Sequence, residues 1–223
     1  MFDGLVRFIG RLRAPRTLEG VLVEYEAGRR HPVLPPLFTA LGEFVASQPA
    51  DARSTWRALL LHLDDLTGTE PSKKWMTRLR ELVGQVPRVE LEALLFHWFG
   101  LIDLAACDFS RSFTRGLVWV SVCLEADRVA GELGALAERA NRKIAGRGQM
   151  SRGVVNACLR VLAGLDSDLA VSQLTRLKGV IEYRDANRQL DQAFESAATK
   201  RDLSVDELEE RVVPDIGGLT TPI

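Results

Sequence analysis

The chain has 223 residues, of which 46% are hydrophobic and 26% are charged. This is the composition of an ordinary globular protein, so intrinsically disordered, collagenous and low-complexity chains are excluded. The 29 Lys and Arg residues nearly balance the 30 Asp and Glu residues, which gives a net charge of −1. A balanced charge provides no overall attraction to nucleic acid or to an anionic membrane.

The first segment, residues 2–16, is a basic amphipathic stretch in which Arg7, Arg11 and Arg13 interrupt the apolar residues. These arginines exclude the uninterrupted apolar core of a signal peptide. A helix of this kind packs on the body of a protein or lies on a membrane surface, and we expect the first.

Helical periodicity dominates the rest of the chain. Four segments carry apolar residues at helical spacing: those beginning at Trp56 and Leu91 follow i, i+3, i+4, i+7, and those beginning at Val154 and Ala186 have similar stripes. This spacing places each set on one face of an amphipathic helix, which must bury that face against a neighbour. The tryptophans in these stripes are predicted to be core residues.

Helix boundaries are indicated by proline, glycine and capping residues. Pro36 and Pro71 can each begin a helix, and Gly146 and Gly148 break the chain before residue 151. Ser204 and Glu207 have the spacing of a capping box, which predicts a short helix over residues 205–213.

One segment is ambiguous, because residues 117–124 form a continuous run rich in β-branched residues, as in a buried strand. No segment nearby supplies a strand partner, and an isolated strand leaves its backbone groups unpaired. We therefore expect a helix that is buried on most of its sides. The pattern as a whole predicts an all-α fold of about ten to twelve helices. We expect antiparallel helical pairs stacked as a HEAT-like α-solenoid, with a compact bundle as the alternative.

The three cysteines, Cys107, Cys123 and Cys158, are far apart and lie in apolar sequence. No pair has the spacing of a metal site or a redox motif. Isolated buried thiols are typical of a reducing compartment. We therefore predict a cytoplasmic protein with no cofactor, no metal site and no transmembrane segment.

Several stretches occur in an order that resembles a known family. They are Pro-Ser-Lys-Lys-Trp from Pro71, Arg-Gly-Leu-Val-Trp from Arg115, Ser-Gln-Leu-Thr-Arg-Leu-Lys from Ser172, and an acidic segment ending in Val-Pro-Asp at residues 213–215. This succession resembles the helical region of large bacterial proteins that carry a domain of unknown function, the molybdate-metabolism-regulator-like, WGR-associated family.

The resemblance implies a HEAT-like helical region over residues 71–218, preceded by an N-terminal helical segment at 1–70 and followed by a tail at 219–223. It implies no established reaction and no catalytic residues. In the family a long further region follows the Val-Pro-Asp motif, so we expect this chain to be either a fragment or a short stand-alone member.

The histidines form no recognisable metal or catalytic motif. His62 shares a helix with Asp64 and Asp65, but side chains at this spacing splay around a helix, so we expect a solvated face. His97 adjoins Trp98 on an apolar helix, where we expect a half-buried, hydrogen-bonded side chain. Serine-nucleophile, Walker and dinucleotide motifs are absent from the sequence, so we predict no catalytic residue and no enzyme.

The clearest candidate for binding is a basic span at residues 139–160, which carries six basic residues and no acidic residue. It predicts an anion-binding or partner-binding site at Arg139, Arg142, Lys143, Arg147 and Arg152, with Arg160 as the sixth cation. The alternative is a solvated helix end whose arginines pair with acids from neighbouring helices. Residues 202–215 are acidic, and segregated charge of this kind suits contact with another protein.

These observations predict a non-enzymatic helical-repeat scaffold that mediates protein–protein interaction in a bacterial multi-component system. The partner is expected to be a protein of unidentified kind. The alternative is a nucleic-acid-binding helical-repeat protein that uses the basic span, since cations in such a span can neutralise phosphates.

Overall fold

The computed structural model describes residue 15 and residues 17–31, 34–104, 111–146, 148–181 and 183–212. These residues form eleven α-helices, one short 3-10 helix and one two-stranded antiparallel sheet, so the predicted all-α class is confirmed. The chain divides into two compact units, the first ending at Leu124 and the second beginning at Glu125. The boundary at residue 70 rests on the family resemblance and stays a prediction.

The first unit contains the first six helices of the described ranges. They are α1 Leu18–Glu26, α2 Pro36–Ser47, α3 Ala50–Asp64, α4 Lys73–Val83, α5 Arg88–Leu101 and α6 Arg111–Val120, followed by the 3-10 helix Ser121–Cys123. Polar caps fix two of the starts, because the Thr17 hydroxyl accepts from the Gly20 amide and the Ser72 hydroxyl from the Trp75 amide, both at 3.1 Å. Pro36 is the first residue of α2, as its fixed φ favours.

The core of the first unit is built from the predicted apolar stripes. Trp56 on α3 and Trp98 on α5 are each only 1% exposed, and the Phe44 ring lies 4.9 and 5.8 Å from their ring centroids. Helix α6 crosses α3 at Gly116, where an added Cβ would lie 2.3 Å from the Leu63 carbonyl oxygen. The close crossing therefore depends on the absence of a side chain at this position.

The ambiguous run at residues 117–124 is helical. It forms the second half of α6 and the 3-10 helix, and Leu117, Val118 and Val120 are fully buried. The expectation of a helix buried on most sides is confirmed, because the branched side chains fill the core of the first unit while the backbone bonds locally.

The second unit contains the remaining five helices of the described ranges. They are α7 Ala126–Asn141, α8 Arg152–Gly164, α9 Asp168–Lys178, α10 Arg184–Lys200 and α11 Val205–Val212. Helix α7 packs against α8 and α9, α8 also packs against α10, and α9 packs against α10 and α11. The short α11 is anchored by Leu208, which is fully buried.

A small hairpin joins α7 to α8. Strand β1, Lys143–Ile144, pairs with β2, Gly148–Gln149, and the turn between them requires positive φ at Gly146 and Gly148. The amide of Met150 donates to the Arg142 carbonyl at 2.8 Å, and the amide of Ser151 donates to the Ala140 carbonyl at 2.9 Å. The hairpin thus satisfies carbonyl groups that the end of α7 would otherwise leave unpaired.

None of the helices in the described ranges combines the length and the apolar character that crossing a bilayer demands.

Candidate partner-binding surface

Two cations of the basic span lie side by side at the end of α7. Arg142 is the residue that caps α7 at its C-terminus, and Lys143 opens β1. Both are exposed, and neither makes an ion pair with a residue that the structure describes. Their position complements the negative end of the helix dipole.

Two other arginines of the span are held within the fold. Arg139 is half-buried on α7, where its charge acts on the thiol of Cys158. Arg160 is half-buried on α8 and donates to the Gln189 amide oxygen at 3.2 Å. These two side chains therefore contribute less to an external binding surface than Arg142 and Lys143.

Arg152 is paired with an acid of its own chain. Its guanidinium lies 3.1 Å from a carboxylate oxygen of Asp185 on α10, and Arg188 binds the other oxygen of the same carboxylate. The Arg188 hydrogen bond, helped by the charge of Arg152, lowers the pKa of Asp185 from its usual value, so the carboxylate stays ionised. This pairing with an acid from a neighbouring helix is the alternative that the sequence left open for the span. Arg147 lies outside the described residues.

A cleft of 360 Å³ lies beside the two exposed cations, and we call it the hairpin cleft. It is lined by Glu138, Asn141, Arg142, Lys143, Val180 and Tyr183. These residues come from the last turn of α7, the start of the hairpin, and the connection between α9 and α10. All of them belong to the second unit.

Asn141 holds the walls of the hairpin cleft together. Its carboxamide oxygen accepts from Gln149 on β2 at 2.9 Å, and its amide nitrogen donates to the Val180 carbonyl at 3.4 Å. Asn141 is only 7% exposed, so its polar atoms need these partners. The sequence analysis gave this residue no binding role, although a polar side chain on the buried face at the end of an amphipathic helix is a usable signal.

Hydrogen-bond donors dominate the lining of the hairpin cleft. Asn141 has a second amide hydrogen for which no acceptor occurs among the described residues. The Tyr183 hydroxyl is shielded from solvent and makes no hydrogen bond within the part of the chain that the structure describes, so it does not open into the cleft. Glu138, the one carboxylate among the described lining residues, is bound by Arg176 at 2.5 Å. The hairpin cleft therefore suits an acceptor that carries negative charge.

The acidic surface of the second unit is also partly paired. Glu209 on α11 binds Lys178 on α9 at 2.6 Å, and the part of the predicted acidic segment from residue 213 onward lies outside the described residues. Three other acids, Asp127, Asp166 and Asp168, surround a shallow depression at the start of α9.

The histidine predictions need correction. The His62 ring is half-buried and stacks on Trp75 with centroids 4.5 Å apart, and its Nε2 donates to the Trp75 carbonyl at 3.0 Å. Burial lowers the pKa of His62, so the expected solvated face is wrong because α4 covers it. His97 is exposed rather than half-buried, because Trp98 and Phe99 take the inward positions of α5.

Asp64 is also removed from solvent, and its carboxylate accepts from the Ser112 hydroxyl at 3.0 Å. Burial raises the pKa of Asp64 despite this bond. Across the described ranges, no group of His, Cys, Asp and Glu side chains is arranged to hold a metal ion.

Comparison of the chain with models of known protein families, with curated proteins and with solved structures found no match. The hairpin cleft and its cations therefore have to be interpreted from their own chemistry.

Proposed function

We propose that the protein is a non-enzymatic helical scaffold that binds a protein partner through the surface at the end of α7. The observation that carries the proposal is the pair of exposed cations, Arg142 and Lys143, beside a cleft rich in hydrogen-bond donors. Cations without an ion pair to described residues are available to an acidic partner, and such charges guide association and select the partner.

The arrangement of helices in the second unit supports a HEAT-like stack as part of the same proposal. Helices α7 and α8 are neighbours and so are α9 and α10, while α7 packs on α9 and α8 packs on α10. This is the contact order of two antiparallel helical pairs placed side by side, which is how helical-repeat scaffolds are built. The resemblance to the molybdate-metabolism-regulator-like, WGR-associated family and a cytoplasmic location belong to the same proposal.

An acidic protein fits the surface better than a nucleic acid does. Nucleic-acid backbones are usually gripped by several cations that face the same side, since each phosphate contact adds to the affinity. Here Arg152 is already paired with Asp185, while Arg139 and Arg160 are half-buried. A contact made by two adjacent cations and a small cleft suits a local acidic feature of a folded protein.

Affinity capture from the lysate of the source cell, with and without nuclease, tests the proposal. The tagged chain is compared with the double variant Arg142→Glu and Lys143→Glu. The matched control is Lys73→Glu with Lys74→Glu, because these adjacent lysines are also exposed but lie in the first unit. We expect one stoichiometric protein that survives nuclease, whose capture falls at least about fivefold in the first variant and not in the control.

Two results would overturn the proposal. Equal capture of the same protein by both variants would show that the end of α7 is not the contact surface. Loss of the captured material on nuclease treatment would make nucleic acid the ligand.

A further inference from the structure

We infer that the hairpin cleft holds a carboxylate side chain of the protein partner, with the carboxylate against Asn141, Arg142 and Lys143. This inference rests on the proposed function, because it assigns a chemical identity to the group that the same surface binds. The polarity and the size of the cleft and the unpaired amide hydrogen of Asn141 support this assignment.

The polar lining selects an anion. Arg142 and Lys143 provide two positive charges, and Asn141 provides an amide hydrogen that has no acceptor among the described residues. The carboxylate of Glu138 would repel an anion if it were alone, but Arg176 lies 2.5 Å from it. Among the described lining residues, donors and cations therefore dominate.

The apolar lining selects a side chain over a free inorganic ion. Val180 is 36% exposed, which is unusual for a large apolar residue in this protein, and it forms one wall together with Tyr183. The methylene groups of a glutamate side chain can cover such a wall while its carboxylate reaches the cations. A volume of 360 Å³ is near the lower end of about 300–1,000 Å³ that is typical of ligand sites. It is enough for one side chain and the peptide beside it.

Tyr183 contributes its ring, and not its hydroxyl, to the wall of the cleft. The hydroxyl is shielded from water and has no hydrogen-bond partner within the described part of the chain. A buried polar group without a partner costs stability in the free protein. Changing Tyr183 to Phe should therefore keep the wall, leave binding unchanged and not weaken the fold.

The experiment uses the full chain and defined probes in low-salt buffer. An acetylated tetraglutamate peptide is titrated while the backbone amide resonances of residues 141–143, 180 and 183 are followed by NMR. A tetraglutamine peptide, inorganic phosphate and an oligothymidylate serve as comparison probes. We expect saturable shifts at these amides with tetraglutamate and none with tetraglutamine.

The variants separate the cleft from general surface charge. Arg142→Ala and Lys143→Ala are each expected to weaken tetraglutamate binding about fivefold, whereas Tyr183→Phe should leave it unchanged, with an unchanged or higher melting temperature. Arg152→Ala removes a cation that Asp185 already pairs, so its affinity should equal that of the wild type.

The inference is overturned if tetraglutamine shifts the same amides, if phosphate or the oligothymidylate binds at least as tightly, or if Arg142→Ala and Lys143→Ala both bind like the wild type. Failure here is distinguishable from failure of the proposed function. Partner capture that depends on Arg142 and Lys143, with no tetraglutamate binding, would remove the carboxylate assignment and leave the scaffold. Tetraglutamate binding together with partner capture that does not depend on Arg142 or Lys143 would remove the proposed contact surface and leave the carboxylate site.

Discussion

At the scale of single residues, Gly116 is the described glycine of the first unit at which an added Cβ would approach another atom most closely. A methyl group at this position would lie 2.3 Å from the Leu63 carbonyl oxygen, and a backbone atom cannot move aside as a flexible side chain can. We expect Gly116→Ala to lower the free energy of unfolding by about 1–3 kcal/mol, measured by urea denaturation.

Gly100 gives the matched control for that change. It lies near the end of α5 in the same unit, is exposed, and has no atom within 4 Å of an added Cβ. Gly100→Ala should leave stability unchanged or raise it by about 0.5–1 kcal/mol, because alanine favours the helix. Equal losses in the two variants would contradict the close crossing of α3 and α6.

His62 makes the stability of the first unit sensitive to mild acid. Burial lowers its pKa below the ordinary value of 6.5, and this outweighs the hydrogen bond to the Trp75 carbonyl and the charge of Asp65, which raise it. The unfolded chain therefore binds the proton more readily than the folded chain, and stability is lost as the pH falls below 6.5.

Urea unfolding of the wild type and of His62→Gln from about pH 8 to about pH 5 tests this sign. The difference between their free energies of unfolding should shift in favour of the variant as the pH falls, since glutamine does not titrate. A constant difference, or a shift in favour of the wild type, would contradict a buried neutral imidazole at this position.

At the scale of helices, the capping box at residues 204–207 supports α11. The Glu207 amide donates to the Ser204 hydroxyl at 3.2 Å, and the Ser204 amide donates to the Glu207 carboxylate at 2.8 Å. Ser204→Ala removes the first bond and should cost about 1 kcal/mol, which makes amide exchange in α11 about fivefold faster.

Hydrogen-exchange mass spectrometry can compare this variant with Ser196→Ala. Ser196 is exposed in the middle of α10, where alanine is a better helix former, so exchange in α10 and α11 should not accelerate. Faster exchange throughout the second unit in Ser204→Ala would mean that α11 unfolds together with the body rather than separately.

Helices of this chain were predictable because their signals are local. The capping box at Ser204 and the proline at Pro36 mark helix starts at the residues where the structure has them. The hairpin after α7 was not predicted, because two-residue strands carry no alternating pattern and its glycines indicate only a break. Backbone hydrogen bonds to the end of α7 hold the hairpin in place. Local propensity does not encode these bonds.

The candidate surface was predictable only in part. The run of cations in the sequence identified the stretch of chain that contains Arg142 and Lys143. It did not show that Arg152 pairs with Asp185, since that acid lies on a different helix and reaches Arg152 only through the packing of α8 against α10. Asn141 and Tyr183 were missed as cleft residues for the same reason, because only the packing of α7 against α9 brings the end of α7 beside the connection between α9 and α10.

At the scale of the whole molecule, each unit carries its own described thiol. Cys123 lies in the first unit and is half-buried, while Cys158 lies in the second unit and is fully buried. Burial raises the pKa of both thiols, and for Cys123 the charges of Arg80 and Arg88 oppose the effect. The thiolate is the reactive form, so both should react slowly and Cys158 far more slowly.

Iodoacetamide labelling with peptide mapping measures this difference in a Cys107→Ser background, where every label reports one of the two described thiols. Without denaturant, Cys123 should react first, and Cys158 at least about 10³-fold more slowly than a free thiol, because Cys158 is reached only when the second unit opens.

In graded urea, the rise in the labelling rate of each cysteine follows the opening of the unit that contains it. Gly116→Ala should accelerate Cys123 at urea concentrations where the wild type is still protected. Labelling of Cys158 as fast as Cys123 in the native protein would contradict a packed second unit, whatever the behaviour of the first.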